Sequence, residues 1–349
     1  MQKIPTETVI DGLIVDEESR AASTTSSANA SPSVVKIETL IKLVPDAENA
    51  FFTDTGRLFV TDGTCICEIT DRGTVTKLFT DTQGLFGGIA QSGKWLYVVH
   101  ASIKNTLPSL DFNSLLASGD IVTILKALTD AMMNKEILRA DISVAGPPVF
   151  ESLCVIEGAL LPNGMAADVE GNLYVADQTF LPQGGIIKFT ITGDETPVVS
   201  QERWIYHKDG CLSPNGVAIS GSTLYFTDFA LTSLKPAKVK KVEIINGKPG
   251  TIEVVHSALS FFDDLDIGVY KNRTYIAVAD YLLSSIIMIN QNDGAKTRLG
   301  SGKLANPSSV HFGKTPQFKA NELLVTEKGM LYEMYSSYGN KLSCITLPE

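Results

Sequence analysis

Residues 212–230 read L-S-P-N-G-V-A-I-S-G-S-T-L-Y-F-T-D-F-A, and the fold follows from the fact that the chain says this again. Ser213-Pro214-Asn215-Gly216 has turn chemistry, a short apolar run follows, Gly221-Ser222 turns again, and a second apolar run ends on Asp228. Residues 161–177 (L-P-N-G-M-A-A-D-V-E-G-N-L-Y-V-A-D) are the nearest copy, and residues 47–62 (A-E-N-A-F-F-T-D-T-G-R-L-F-V-T-D) are a third. Weaker copies with longer turns stand at 86–100, 262–280 and 307–327, which makes six units.

With the position of Asn215 as marker, the units fall at 48, 87, 163, 215, 263 and 308, in steps of 39, 76, 52, 48 and 45. A short-strand repeat of about 40–50 residues is the pattern of propeller blades, small sheets that bury their faces only against one another. The expected fold is therefore all-β, a six-bladed β-propeller. Each unit reads as an inner strand, a second strand ending in Asp, His or Glu, and two outer strands. The outer pairs are predicted at 65–69 and 75–80 in blade 1, 238–244 and 251–256 in blade 4, and 285–290 and 296–299 in blade 5. Residues 34–44 alternate as a strand ahead of the first marker. Pairing them with residues 342–347 would close the ring and remove its two open edges.

The domain reading is a flexible tail over 1–33, with a Ser/Thr/Ala-rich run at 19–33, and one propeller over 34–349. The 76-residue step marks 101–150 as an insertion in blade 2. There Asp120 can cap a helix whose Ile121, Leu125, Leu128 and Met132 share one face, after a shorter apolar turn at 112–117. The insertion is either an ornament on the rim or a lid over the mouth.

The 349 residues are 44% apolar and 19% charged, which fits a packed chain rather than wholesale disorder. A net charge of −10 without a Lys/Arg cluster argues against nucleic acid. Residues 1–20 lack the apolar run of a signal peptide, and no span reaches the roughly 20 apolar residues that cross a bilayer. A cytoplasmic chain without a membrane span is expected; its oligomeric state is not readable. The five cysteines cannot all pair and sit mostly in apolar strand patterns, as buried thiols do. No G-x-S-x-G elbow, phosphate-binding loop or paired Cys-x-x-Cys occurs.

In a propeller the innermost strands line the axis, so the marker positions face one another at its mouth. They are Glu48, Gly87, Asn163, Asn215, Asp263 and Ser308, and four of the six, Glu48, Asn163, Asn215 and Asp263, carry carboxylate or amide oxygens. Hard oxygen donors of this kind suit a divalent cation, Ca²⁺ above all. Each Asn-Gly taken singly is ordinary turn chemistry; the convergence of four donors is what suggests a site. Three residues further on a second ring reads Phe51, Ala90, Ala166, Ala218, Asp266 and His311. Asp266 and His311 would meet inside the tunnel, as a structural plug or a proton relay. His207, shortly before the blade 4 marker, is a candidate mouth residue, with Ser308 and Leu161 as candidate pocket residues.

The order of Glu48 in A-E-N-A-F-F, Asn163 in L-P-N-G-M, Asn215 in S-P-N-G-V and Asp263 in F-D-D-L resembles the SMP-30/gluconolactonase-like family. That family includes diisopropylfluorophosphatase and lactonases, with strictosidine synthase and paraoxonase as more distant relatives. The resemblance covers roughly residues 34–347. It implies a divalent cation, usually calcium, held by those four side chains, with Asp263 as nucleophile or general base. Sugar-lactone members commonly carry an Arg two residues before the Asn matching Asn163, where this chain has Leu161. A small lipophilic substrate is expected instead.

Three functions follow as expectations. The first is a metal-dependent hydrolase of lactone or ester type, in which a cation polarises a carbonyl and a carboxylate activates water. The second is a biosynthetic enzyme that orients a polyketide or terpenoid intermediate for cyclisation, condensation or cycloaddition without hydrolysis. The third is a binding propeller without catalysis.

Overall fold

Strands two residues in period present alternate side chains to opposite faces, and here both faces are apolar, so every sheet needs a neighbour on each side. The computed structural model describes residues 35–103, 132–179, 182–230, 235–330 and 336–349, and meets that need with six antiparallel sheets in a ring. Blade 1 comprises Asn49–Phe52, Leu58–Thr61, Cys65–Thr70 and Thr74–Thr80. Blade 2 comprises Gly84–Ser92, Trp95–Ile103, Met132–Asp141 and Glu151–Val155, and blade 3 Pro162–Ala167, Leu173–Asp177, Gly185–Thr192 and Val198–Tyr206. Blade 4 is built from Pro214–Ser220, Thr223–Asp228, Ala237–Ile245 and Glu253–Ala258, with Lys248–Pro249 as an extra short strand. Blade 5 runs Phe262–Tyr270, Arg273–Asp280, Ser285–Asn290 and Lys296–Leu299. In blade 6, Pro307–Phe312, Glu322–Glu327 and Lys341–Thr346 come from the C-terminal end, and the fourth strand is Lys36–Ile41.

The ring is thus closed as expected. Lys36 pairs with Thr346 and Ile37 with Ile345, so the edge that a linear order would leave exposed is covered by the start of the chain. The predicted outer strands of blade 5 match in full, and those of blades 1 and 4 match to within two residues.

The core is divided among the gaps between blades. Leu173 and Val175 enter the apolar cluster shared with blade 2, whereas Tyr174 and Ala176, one residue along, enter the cluster shared with blade 4. The same alternation fills the four other gaps, and each fully buried aliphatic or aromatic side chain contributes about 1.5–3 kcal/mol. Four of the five cysteines are buried in this way, and all five are free thiols.

The insertion reading needs correction. Trp95–Ile103 runs into the stretch 101–150 as the second strand of blade 2, and Met132–Asp141 within it is the third. Met132, assigned from periodicity to a helix face, lies in a strand because its partner Ile103 offers an edge to pair with. The residues from Asp120 to 131, the apolar turn at 112–117 and the tail at 1–33 lie outside the described residues. Among the described residues helical structure is confined to a 3-10 turn, His207–Asp209, and no helix is long and apolar enough to cross a membrane.

Candidate functional site

The marker residues are placed by a repeated irregularity in the ladder. Pro162 pairs with Asp177 and Met165 with Val175, so Asn163 and Gly164 drop out of register; Pro214, Val217 and the intervening Asn215-Gly216 repeat this against Asp228 and Phe226. Blades 2, 5 and 6 show the same break after Phe86, Phe262 and Pro307. A bulge of this kind re-aims the side chain that it releases, here toward the axis.

The glycines after the markers let neighbouring blades approach. A methyl group on Gly88 would lie 2.2 Å from the Met165 nitrogen, one on Gly164 2.4 Å from the Asn215 carbonyl, and one on Gly216 2.5 Å from the Asp264 Cα. The Asn-Gly pairs are therefore not simple turns: their glycines are the contact between blades.

A second device fixes the marker backbone. Thr61, Thr227 and Thr326 each precede the acid after or at the end of a second strand. Thr61 Oγ1 accepts from the Asn49 amide and donates to the Gly87 carbonyl of the next blade. Thr227 does the same between Gly216 and Asp263, and Thr326 between Ser309 and Glu48. Each threonine thus ties its own blade to the marker of the following one.

The result is a cavity of about 130 Å³ at one end of the axis. Glu48, Gly87, Asn163, Asn215, Asp263 and Leu161 line it together, as the repeat predicts. Leu85, Phe86, Pro162 and Phe261 add an apolar wall, and Phe86 stacks on His100 with ring centroids 4.8 Å apart. His100 is held by Asp81 and Glu136 at 3.1 and 2.9 Å, which makes it a brace behind the wall.

Two candidate residues fall elsewhere. Ser308 is buried, but its hydroxyl donates to the Ala47 carbonyl at 2.7 Å and meets Thr326 Oγ1, so it joins blades 6 and 1 without lining the cavity. His207 is exposed in its 3-10 turn beyond the outermost strand of blade 3, and does not line the cavity either.

Polar contacts within the cavity are specific. Asn215 donates its amide to Asp263 Oδ1 at 2.5 Å, and Asn163 donates to Gln178 Oε1 at 3.0 Å. Burial, then the negative charge of Glu48, pushes the Asp263 carboxyl well above the usual aspartate range. Lys328, absent from the expected set, donates to Glu48 Oε2 and stands 3.1 Å from Asp46 Oδ1. Burial presses its pKa down, but Asp46 and Glu48 together raise it well above an ordinary lysine, so it is an ammonium ion. Lys328 follows the strand-ending Glu327, and the equivalent positions in blades 1, 2 and 3 are Gly63, Ala101 and Gln178, which also line the cavity. Reading the repeat one residue further would have found this third ring.

The fit to a divalent cation is decided by these contacts. Glu48, with Asp46 beside it, already faces the Lys328 ammonium group, and the Asn215 amide points its hydrogen, not its oxygen, at Asp263. As arranged, the four expected ligands do not fit a divalent ion alongside Lys328.

Beneath the cavity the tunnel pair is a triad. His311 Nδ1 lies 3.7 Å from Asp266 Oδ2, and its Nε2 lies 4.0 Å from Asp264 Oδ2. Asp266 accepts the Phe312 amide at 2.9 Å. Burial lowers the His311 pKa, yet Asp266 and Asp264 outweigh it and the net shift is upward. Burial pushes Asp264 up to about 7 against the pull of His311.

No protein-family model matches the sequence, and no curated protein matches it. Solved structures do share its shape. A gluconolactonase of Xanthomonas campestris is 15% identical with a TM-score of 0.60, each chain covered to 90%. A putative gluconolactonase is 14% identical with a TM-score of 0.56, covering 91% of this chain and 96% of the other. A putative oxidoreductase (glucose dehydrogenase) of Thermus thermophilus is 11% identical with a TM-score of 0.58, over 89% and 99%. At these identities the likeness establishes the propeller fold and nothing finer.

Proposed function

We propose that the protein is a hydrolase of lactone or ester type, acting on a small lipophilic molecule held in the axial cavity. The observation that carries this reading is the Asp263 carboxyl, buried in the lining of a mostly apolar pocket and raised well above the usual aspartate range by burial and by Glu48. A carboxylate whose pKa is raised is a stronger base than an exposed aspartate. Asn215 orients it by donating to one oxygen, which leaves the other for water. Asp263 takes a proton from that water as its oxygen bonds to the carbonyl carbon. The carbon–oxygen bond to the leaving alkoxide then breaks, and the alkoxide recovers the proton from the same carboxyl. The fold neighbours named gluconolactonase support the class of reaction, and Leu161 with Phe86, Leu85 and Phe261 supports a lipophilic substrate over a sugar acid.

The experiment is a panel of aliphatic and aromatic lactones and esters with wild type and Asp263→Asn. Loss of about 10²–10⁴-fold in turnover in the variant is expected for any active substrate. Undiminished turnover in Asp263→Asn would refute the role. A second reading, orientation of a reactive intermediate without water, is favoured by the apolar wall. It is distinguished by product formation that survives the same substitution.

A further inference from the structure

The cavity contains its own cation. We infer that Lys328 takes the place of a divalent ion at the mouth of the axis, so that this propeller binds its ligand without a metal there.

Three observations meet on this residue. The first is position: Lys328 lines the cavity beside Asp46 and Glu48, and its charge acts on Asp263 as well. Those carboxylates are the ones that would otherwise attract a divalent ion. A buried acid pair needs a compensating positive charge, and a covalently attached ammonium supplies it at no cost in association entropy.

The second is the way that Asp46 is held. It adopts a positive φ of 51°, a conformation sparsely populated by non-glycine residues, and its amide is fixed by Asn340 Oδ1 at 2.7 Å. The strained backbone presents its carboxylate to Lys328 rather than to solvent.

The third is the anchoring of Lys328 itself. Its amide donates to the Asn306 carbonyl, the Gly329 amide to the Ala305 carbonyl, and Tyr281 donates its hydroxyl to the Gly329 carbonyl at 2.7 Å. Gly329 passes so close to Gly339 that a methyl group on it would lie 3.0 Å from the Gly339 Cα. The ammonium is therefore delivered by fixed backbone, as a ligand group is in a preorganised site.

An ammonium has three N–H donors, and two carboxylates face it, so one remains for an oxygen of the bound molecule. Two negative charges against one positive disfavour an anionic ligand. A neutral carbonyl oxygen is the partner that this donor suits.

The inference concerns the cation and stands whether or not the ligand is hydrolysed, so its test reads metal and not turnover. Full-length wild-type protein is analysed for metal as purified, stripped with chelator, and titrated calorimetrically with CaCl₂. No stoichiometric Ca²⁺ and no change of melting temperature on chelation are expected. Lys328→Met keeps the apolar stem and removes the charge. It should bind Ca²⁺ at least about tenfold more tightly than wild type, through the carboxylates so exposed. That gain should vanish on adding Glu48→Gln. One Ca²⁺ bound per wild-type chain and lost in Glu48→Gln would overturn the inference, as would a folded Lys328→Met with no gain in Ca²⁺ affinity. If Lys328→Met does not fold, the wild-type titration decides alone.

Discussion

Asp264 shows how burial at the axis becomes a pH dependence. Its carboxyl is moved up to about 7, chiefly by desolvation, with His311 opposing. Between the ordinary value of 3.8 and about 7 the folded chain binds more protons at this residue than the unfolded chain does. Stability must therefore fall as pH rises through that window. His311 acts with the same sign: its pKa is raised above 6.5, so its contribution is present below that value and is lost as pH rises through the folded one. Melting temperatures of wild type measured from pH 4 to 8 should decline, and Asp264→Asn should decline less. An equal slope in the variant would mean that Asp264 titrates normally. Asp266 and His311 were legible in the sequence as a pair, because both fall on one register of the repeat. Asp264, which faces the other nitrogen of the ring, was not, since contact across neighbouring blades is no function of sequence spacing.

At the level of the strand, the recurring unit is a second strand whose end does two jobs. Its terminal acid braces the loop that feeds the marker: Asp177 accepts the Leu160 and Leu161 amides, Asp228 those of Leu212 and Ser213, and Glu327 that of Ala305. Cations from the outer strands balance these acids, Arg203 for Asp177 and Lys240 for Asp228. In blades 1, 4 and 6 the threonine before the acid also joins blade to blade. Thr227 is the most demanding case, because its hydroxyl accepts the Gly216 amide at 2.9 Å and donates to the Asp263 carbonyl at 2.5 Å. Thr227→Val keeps the shape and strands both buried groups, so a loss of roughly 2–4 kcal/mol is expected from urea unfolding. A change below about 0.5 kcal/mol would show that water satisfies them instead. The terminal acid was visible in the repeat as a strand ending; the threonine before it and its bond to the next blade were not.

For the molecule as a whole, closure is the decisive feature. Lys36–Ile41 covers the outer edge of Lys341–Thr346, and Ile41 packs in the cluster that joins blades 6 and 1. Deletion through Ile41 should lower the melting temperature and leave an unpaired edge that associates with other copies. Light scattering and thermal unfolding of that truncation check both effects. A monomeric truncation with an unchanged melting temperature would place the stability of the ring elsewhere.

What the sequence determined by itself was the periodic part: six units, all-β strands, a closing N-terminal strand, and a set of marker residues that converge on one cavity. These are readable because a repeat obliges equivalent positions to take equivalent places, and because alternation of apolar residues reports two buried faces. Only the tertiary structure decided which charges meet there. Lys328 and Glu48 are 280 residues apart in the chain and become neighbours because the ring brings its last blade against its first. The electrostatics of the site therefore depend on ring closure, which juxtaposes side chains that no local pattern relates.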